Sequence, residues 1–258
     1  MTTQLNRAAE NKKNQFRQLR KYLIQNRIDD ELGLRITGFL ENAFDVRQAA
    51  VLESQVELLG FLSKPLTAEL QYAKYERCLK ELIIVKQHSK PDAYDFTTLQ
   101  IMKNLANDGL THRTFAPADT VFEAETMASH AYFMTAGSLK YVLHGEEAKL
   151  SESWWLVEMC MWIHWTHLGE MKTEDATGMV LLEADRFSSL VRVSPNGQAT
   201  GRAVALQVVD AMNMMEVLTD LWQCPVQYVS ESSPGHSEGR RFFRKLLSAD
   251  LAAVVPTK

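Results

Sequence analysis

The stretch THRTFAPADTVFEAETMASHAYFMTAGS, Thr111 to Ser138, changes the period of the chain. Within it, Phe115-Ala116-Pro117-Ala118-Asp119-Thr120-Val121-Phe122 reads as strand, turn and strand. Pro117 presets a turn φ, and Asp119 can bond back to the backbone. Ala131 to Thr135 is a second short apolar run, closed by Gly137, and Tyr141-Val142-Leu143 leads to a turn at His144-Gly145. Long segments of helical period precede this stretch; short β-like runs broken by Gly, Asp, Asn and Ser follow it. A helical module leading into a compact β-roll makes an α+β chain. It suggests a sensor or coupling device more than an enzyme.

Upstream, Leu5 to Gln25 is dense in Arg, Lys, Gln and Asn, with Phe16, Leu19, Tyr22, Leu23 and Ile24 as a narrow apolar stripe. A lone polar helix is marginal in water, so it either frays or packs its stripe on a neighbouring subunit. Asp29 or Asp30 can cap the next helix, where Leu32, Leu34, Ile36, Phe39, Leu40 and Phe44 recur at helical spacing. A third helix is expected from Val46 to Leu59. Ser63 and Pro65 start a fourth, with Leu66, Leu70, Leu79, Leu82 and Ile83 on its apolar side. The polar linker Gln87 to Asp95 contains Pro91, and a helix from Phe96 to Asn107 stops at Asp108-Gly109.

The 28 basic and 32 acidic side chains nearly balance, so charge does not recommend nucleic acid as a partner. Hydrophobic residues make up 46%, enough for a real core. Cys78, Cys160 and Cys224 lack a disulfide-framework spacing and fit a reducing compartment. No run approaches the roughly 20 apolar residues that cross a bilayer, and the start is too polar for a signal peptide. The expected location is cytoplasmic. No phosphate loop, nucleophile elbow or supported carboxylate pair stands out, so no catalytic residue is assigned.

Phe115 to Phe122 and Tyr132-Phe133-Met134-Thr135-Ala136-Gly137 together resemble the opening of the cyclic-nucleotide-binding domain family. The family's pattern there is Phe-x-Pro-Gly-Asp-x-Ile/Val-Phe, followed by Tyr-Phe-Ile-x-x-Gly. Ala118 stands where the family's first element has Gly. Val180 to Phe187 is similar to the family's last strand and the start of the helix behind it. The first 44 residues resemble the segment leaving the pore-lining helix of voltage-gated potassium and cyclic-nucleotide-gated channels, and Leu58 to Leu79 resembles the later linker helices. The resemblance covers roughly residues 2 to 192. It implies a pore domain upstream of Met1, a ring of linker helices and a location at the inner face of a membrane.

The family's nucleotide cassette is Phe-Gly-Glu, an apolar pair, then Arg-Thr/Ser-Ala. Carried onto this chain, Glu158 stands at the ribose-binding Glu, Val157 replaces the Gly before it, His167 takes the phosphate-binding Arg position and Leu168 the hydroxyl position. An imidazole offers one useful donor where guanidinium offers a fork. Val157 adds a Cβ where backbone must approach a ligand closely. Losing a buried charged partner costs about 2 to 5 kcal/mol, so the resemblance implies a degenerate site that binds cyclic AMP or cyclic GMP poorly or not at all.

Trp154, Trp155, Trp162 and Trp165 crowd the same stretch; they either fill the hollow or line a pocket or an interface. Cys160, His164 and His167, with Glu170, have a spacing that would suit zinc on one helical face. A short cassette helix would end before His167, so no metal is assigned. Gly197 to Leu221 reads as a Met-rich lid helix. Cys224 to Val229 reads as an extended run, Ser230 to Arg241 as a link to a small terminal helix. In some channels of this family such a run returns to the empty ligand pocket, and Tyr228 is the side chain in position to do so.

The expected organisation is a helical linker over residues 1–90, a β-roll with lid helix over 91–222, and an extended segment with terminal helix over 223–258. The expected function is a non-catalytic coupling module of a potassium-channel-like protein, homo-oligomeric through its N-terminal helices. Two alternatives stand: a stand-alone scaffold or assembly subunit with protein partners, and a cyclic AMP or cyclic GMP sensor.

Overall fold

The computed structural model describes residues 2–49, 53, 56–88, 95–151, 153–215 and 218–223. The fold is α+β. Helices α1 (Thr2–Gln25) and α2 (Asp30–Ala49) lie against each other and are followed by a 3-10 turn, Glu57–Phe61. Then come α3 (Lys64–Leu79), α4 (Ile83–His88) and α5 (Phe96–Asp108). Pro65 sits in the first turn of α3, and the Asp95 side chain caps α5 by accepting from Thr98 N at 2.8 Å. Because Glu41 to Ala49 contains neither Gly nor Pro, α2 runs unbroken through Val46. The expected separate helix from that residue is therefore corrected to the end of α2.

Among the described residues, eight strands form two antiparallel four-stranded sheets. The first holds β1 (Leu110–Phe115), β8 (Thr177–Glu183), β3 (His130–Ala136) and β6 (Trp155–Leu156), in that order. In the second the order is β2 (Thr120–Phe122), β7 (Glu170–Thr173), β4 (Leu139–Leu143) and β5 (Glu146–Leu150). Leu139, Tyr141 and Leu143 alternate inward along β4, the period expected of a strand with one wet face. Ala131–Met134 and Met179–Leu182 are instead continuously buried, because helices α5 and α6 (Ala184–Val191) and the Glu158–Met161 turn cover the first sheet. The β4–β5 hairpin turns on His144 and Gly145, both with positive φ as a two-residue primed turn requires.

One hydrophobic core runs through both parts of the chain. Leu79, Leu82, Ile84 and Val85 from the α3–α4 corner join Met102 and Leu105 of α5 and the inward faces of both sheets. The described residues on either side of 89–94 share this one core. Far fewer ties reach the α1–α2 pair. Arg35 reaches Asp119 at 3.4 Å, and α1 and α2 leave Tyr22, Ile24 and Leu34 exposed.

Helix α7 (Pro195–Asn213) is shorter than the expected lid helix. Leu218 to Gln223 is not helical: it folds back under the sheets, and Thr219, Asp220, Leu221 and Trp222 are all buried there. Burial against the sheets outweighs the local helical period. Tyr228, Cys224, the extended run and the terminal helix lie outside the described residues.

Candidate functional site

Glu158 to Met161 forms a 3-10 turn between β6 and β7, where the cassette was expected. The residue before it, Val157, has φ 59 and ψ 25, in the left-handed region. For a β-branched residue this costs on the order of 1–3 kcal/mol. Val157 is also completely buried, and its N–H donates to the Asp220 carbonyl at 3.0 Å. Ala118 likewise has positive φ, at 63°. At both places the backbone takes a conformation that favours glycine.

Downstream of the turn, residues 165–167 are pinned to the segment after β2. Ala128 N donates to Trp165 O at 2.9 Å, His167 N to Thr126 O at 2.9 Å, and Glu125 N to His167 O at 2.8 Å. This holds the His167 ring flat on Phe122, with centroids 3.9 Å apart and planes 7° apart. The next two backbone N–H groups, Leu168 and Gly169, then point the same way. At Gly169 a Cβ would meet Val142 O at 2.4 Å and the Tyr141 ring at 2.7 Å, so only glycine lets this backbone lie against β4.

These groups converge on Asp220. Oδ1 accepts from Trp165 Nε1 at 2.8 Å and from His167 Nδ1 at 3.1 Å. Oδ2 accepts from Tyr141 Oη at 2.8 Å and from Leu168 N and Gly169 N, both at 2.9 Å. Burial pushes this carboxyl up, but the bonds from His167, Trp165, Gly169 and Tyr141 outweigh it and hold Asp220 below its ordinary value. An ionised carboxylate has no proton to give, so the His167 Nδ1 carries the proton of that contact. Burial and the adjacent Asp220 charge raise the Tyr141 phenol, which therefore stays a donor. The arrangement is an anion cradle: two successive backbone N–H groups, two ring N–H groups and a phenol. Its anion is supplied by the chain itself.

Glu158 has a different surrounding. It lies 6% exposed, and its Oε1 accepts from Ile83 N at 2.7 Å, where α4 begins. Burial pushes it up to about 8; the Ile83 N–H and the charge of Lys86 pull it back only in part, and Glu81 adds to the rise. It thus joins the cassette turn to the α3–α4 corner. Nearby, Trp155 Nε1 donates to Cys78 O at 2.7 Å, a second bond between the same two regions.

The four clustered tryptophans part company. Trp165 holds Asp220, and Trp155 sits in the core against Phe133 at 5.5 Å. Trp162 meets Phe187 edge-on at 5.1 Å, and the indole N–H groups of Trp154 and Trp162 are buried without a partner among the described residues. Cys160, His164, His167 and Glu170 share no helical face, because the turn ends at Met161. Cys160 is buried, His164 is exposed and His167 turns to Asp220. Among the described residues no three His, Cys, Asp or Glu side chains are grouped to hold a metal, and no helix is long and apolar enough to cross a membrane.

Sequence reasoning brought His167 and Trp165 to the right neighbourhood and missed Asp220, Tyr141, Phe122 and the Leu168–Gly169 backbone. The one available signal was a lone acid inside the apolar run Leu218-Thr219-Asp220-Leu221-Trp222. A charge in such a run needs buried partners. No protein-family model matches the chain, and no curated protein matches it.

Proposed function

We propose that this chain is a non-catalytic regulatory and coupling module of a channel-like protein, with its two sheets forming a cyclic-nucleotide-binding type of β-roll that has become its own ligand. The observation that carries this reading is the Asp220 carboxylate in the cradle of Trp165, His167, Leu168, Gly169 and Tyr141. His167 stands where the resemblance puts the phosphate-binding Arg, and it meets an anion from within. The element order supports the roll: helix α5, eight strands with a 3-10 turn between β6 and β7, then α6 and α7. Coupling is supported by the two bonds from the cassette to the α3–α4 corner, Glu158 to Ile83 and Trp155 to Cys78. Movement of the Asp220 segment would be transmitted through Val157 and Glu158 to the helices.

A second reading, an assembly subunit, is favoured by the exposure of Leu34, Leu58, Phe61 and Leu66 along the N-terminal helices. Calorimetry and Trp fluorescence with cyclic AMP and cyclic GMP test the main reading. The self-liganded module gives no saturable signal up to millimolar nucleotide. Saturation at micromolar concentration would make the chain a nucleotide sensor. Light scattering then separates the remaining two, since a homotetramer fits channel coupling and a chain that assembles only with a different protein fits the subunit.

A further inference from the structure

Helices α6 and α7 meet as a wedge. At the closed end Val191 packs on Gly201, where a Cβ would lie only 2.8 Å from Val191 Cγ1. Beside this contact, Ala205 of α7 and Phe187 of α6 line, with Trp162, a cleft of about 290 Å³. Met161, Trp162, Phe187 and Val191 are its apolar lining, and Arg192, Arg202 and Gln198 belong to its polar lining. Both arginines are exposed, and among the described residues neither guanidinium has an ion-pair partner. No acidic side chain lines the cleft. None of these residues touches Asp220, so the cleft is separate from the cradle.

We infer that this cleft binds a single-chain carboxylic acid of medium length, its chain against Trp162 and Phe187 and its carboxylate on Arg192 and Arg202. Charge complementarity selects the head group, because two unpaired guanidinium forks match a planar carboxylate and leave an ammonium repelled. The volume suits the tail: about 290 Å³ lies at the small end of the range for ligand pockets and has room for one medium alkyl chain.

The test is calorimetric titration of the full chain with decanoate, and with decanol and decyltrimethylammonium as probes of the head group. Decanoate binds at one site with a Kd of about 100 µM or tighter. Decanol binds at least about tenfold more weakly, and the cation gives no saturable heat. The double variant Arg192→Gln, Arg202→Gln, altered only at exposed positions, weakens decanoate by about tenfold or more with an unchanged melting temperature. Ala205→Phe fills the cleft and abolishes binding. In Trp162→Phe the binding-linked change in Trp fluorescence is lost while the decanoate heat remains. The inference is overturned if decanoate shows no saturable heat by about 5 mM, if decanol binds as well as decanoate, or if the double variant binds like the wild type.

Discussion

Glu158 and Asp220 are two carboxylates of nearly equal burial, 6% and 0% exposed, with opposite fates. Asp220 is met by donors on both oxygens and stays ionised below its ordinary value. Glu158 accepts from the Ile83 N–H, and burial carries its carboxyl to about 8, so it is largely protonated at neutral pH. Burial alone does not decide the charge of a carboxyl group; the number and aim of the donors do. The contrast also separates their roles. Asp220 is a fixed anion that gathers donors from Tyr141 and from Trp165 to Gly169, and Glu158 is a neutral link between the Glu158–Met161 turn and the start of α4.

Removing Asp220 should break the comparison with the largest effect. Asp220→Ala leaves Trp165, His167, Tyr141 and two backbone N–H groups facing one another without an acceptor, and urea unfolding should register a loss of about 3–5 kcal/mol. A loss below about 1 kcal/mol would mean that water replaces the carboxylate freely and that the cradle is not a dry site.

The pH dependence of stability sharpens the comparison next. Glu158 is raised on folding, so the stability it contributes is complete below about 4.5 and is lost as pH climbs towards about 8. Asp220 is lowered, so its contribution is present above its ordinary 3.8 and fades only as pH falls through the depressed value. Glu158→Gln keeps an acceptor for Ile83 and carries no charge. Near pH 5 it should unfold at nearly the wild-type urea concentration, and at pH 9 it should be the more stable protein by about 3–5 kcal/mol. Parallel pH curves for the two proteins would refute the buried neutral carboxyl.

The smallest effect belongs to Val157, which lies beside both carboxylates. Substituting glycine removes a left-handed β-branched residue, worth about 1–2 kcal/mol, and forfeits side-chain burial of about 1.5–3 kcal/mol. Val157→Gly should therefore lie within about 1 kcal/mol of the wild type by thermal unfolding, far milder than an ordinary buried Val→Gly change. A loss of more than about 3 kcal/mol would show that the loop holds this conformation without strain.

Much of the framework was legible in the chain. Pro65 and Asp95 mark helix starts through rules that act within a few residues, and the Phe115–Phe122 turn and His144-Gly145 hairpin are equally local; the α7 start, capped by Ser194, lies two residues before the expected Gly197. The site was legible only in part. His167 and Trp165 could be singled out because an existing pattern points to their positions. Asp220 could not, because it is 53 residues beyond His167 and its helical surroundings suggested a lid continuing to Leu221. Glu158 was noticed for a ribose contact, whereas its partner is the backbone of Ile83, 75 residues earlier.

By itself the sequence determined the α+β division, the strand-bearing region and most helix starts, since propensity, capping and turn chemistry act over one or two turns of chain. Tertiary structure alone decided that α2 and α3 would serve different surroundings, that four neighbouring tryptophans would take separate tasks, and that an acid near the end of the described chain would fill the cradle. The physical reason is that a buried charge is tolerated only where donors from distant segments meet, and such a meeting exists only after the sheets have closed over it.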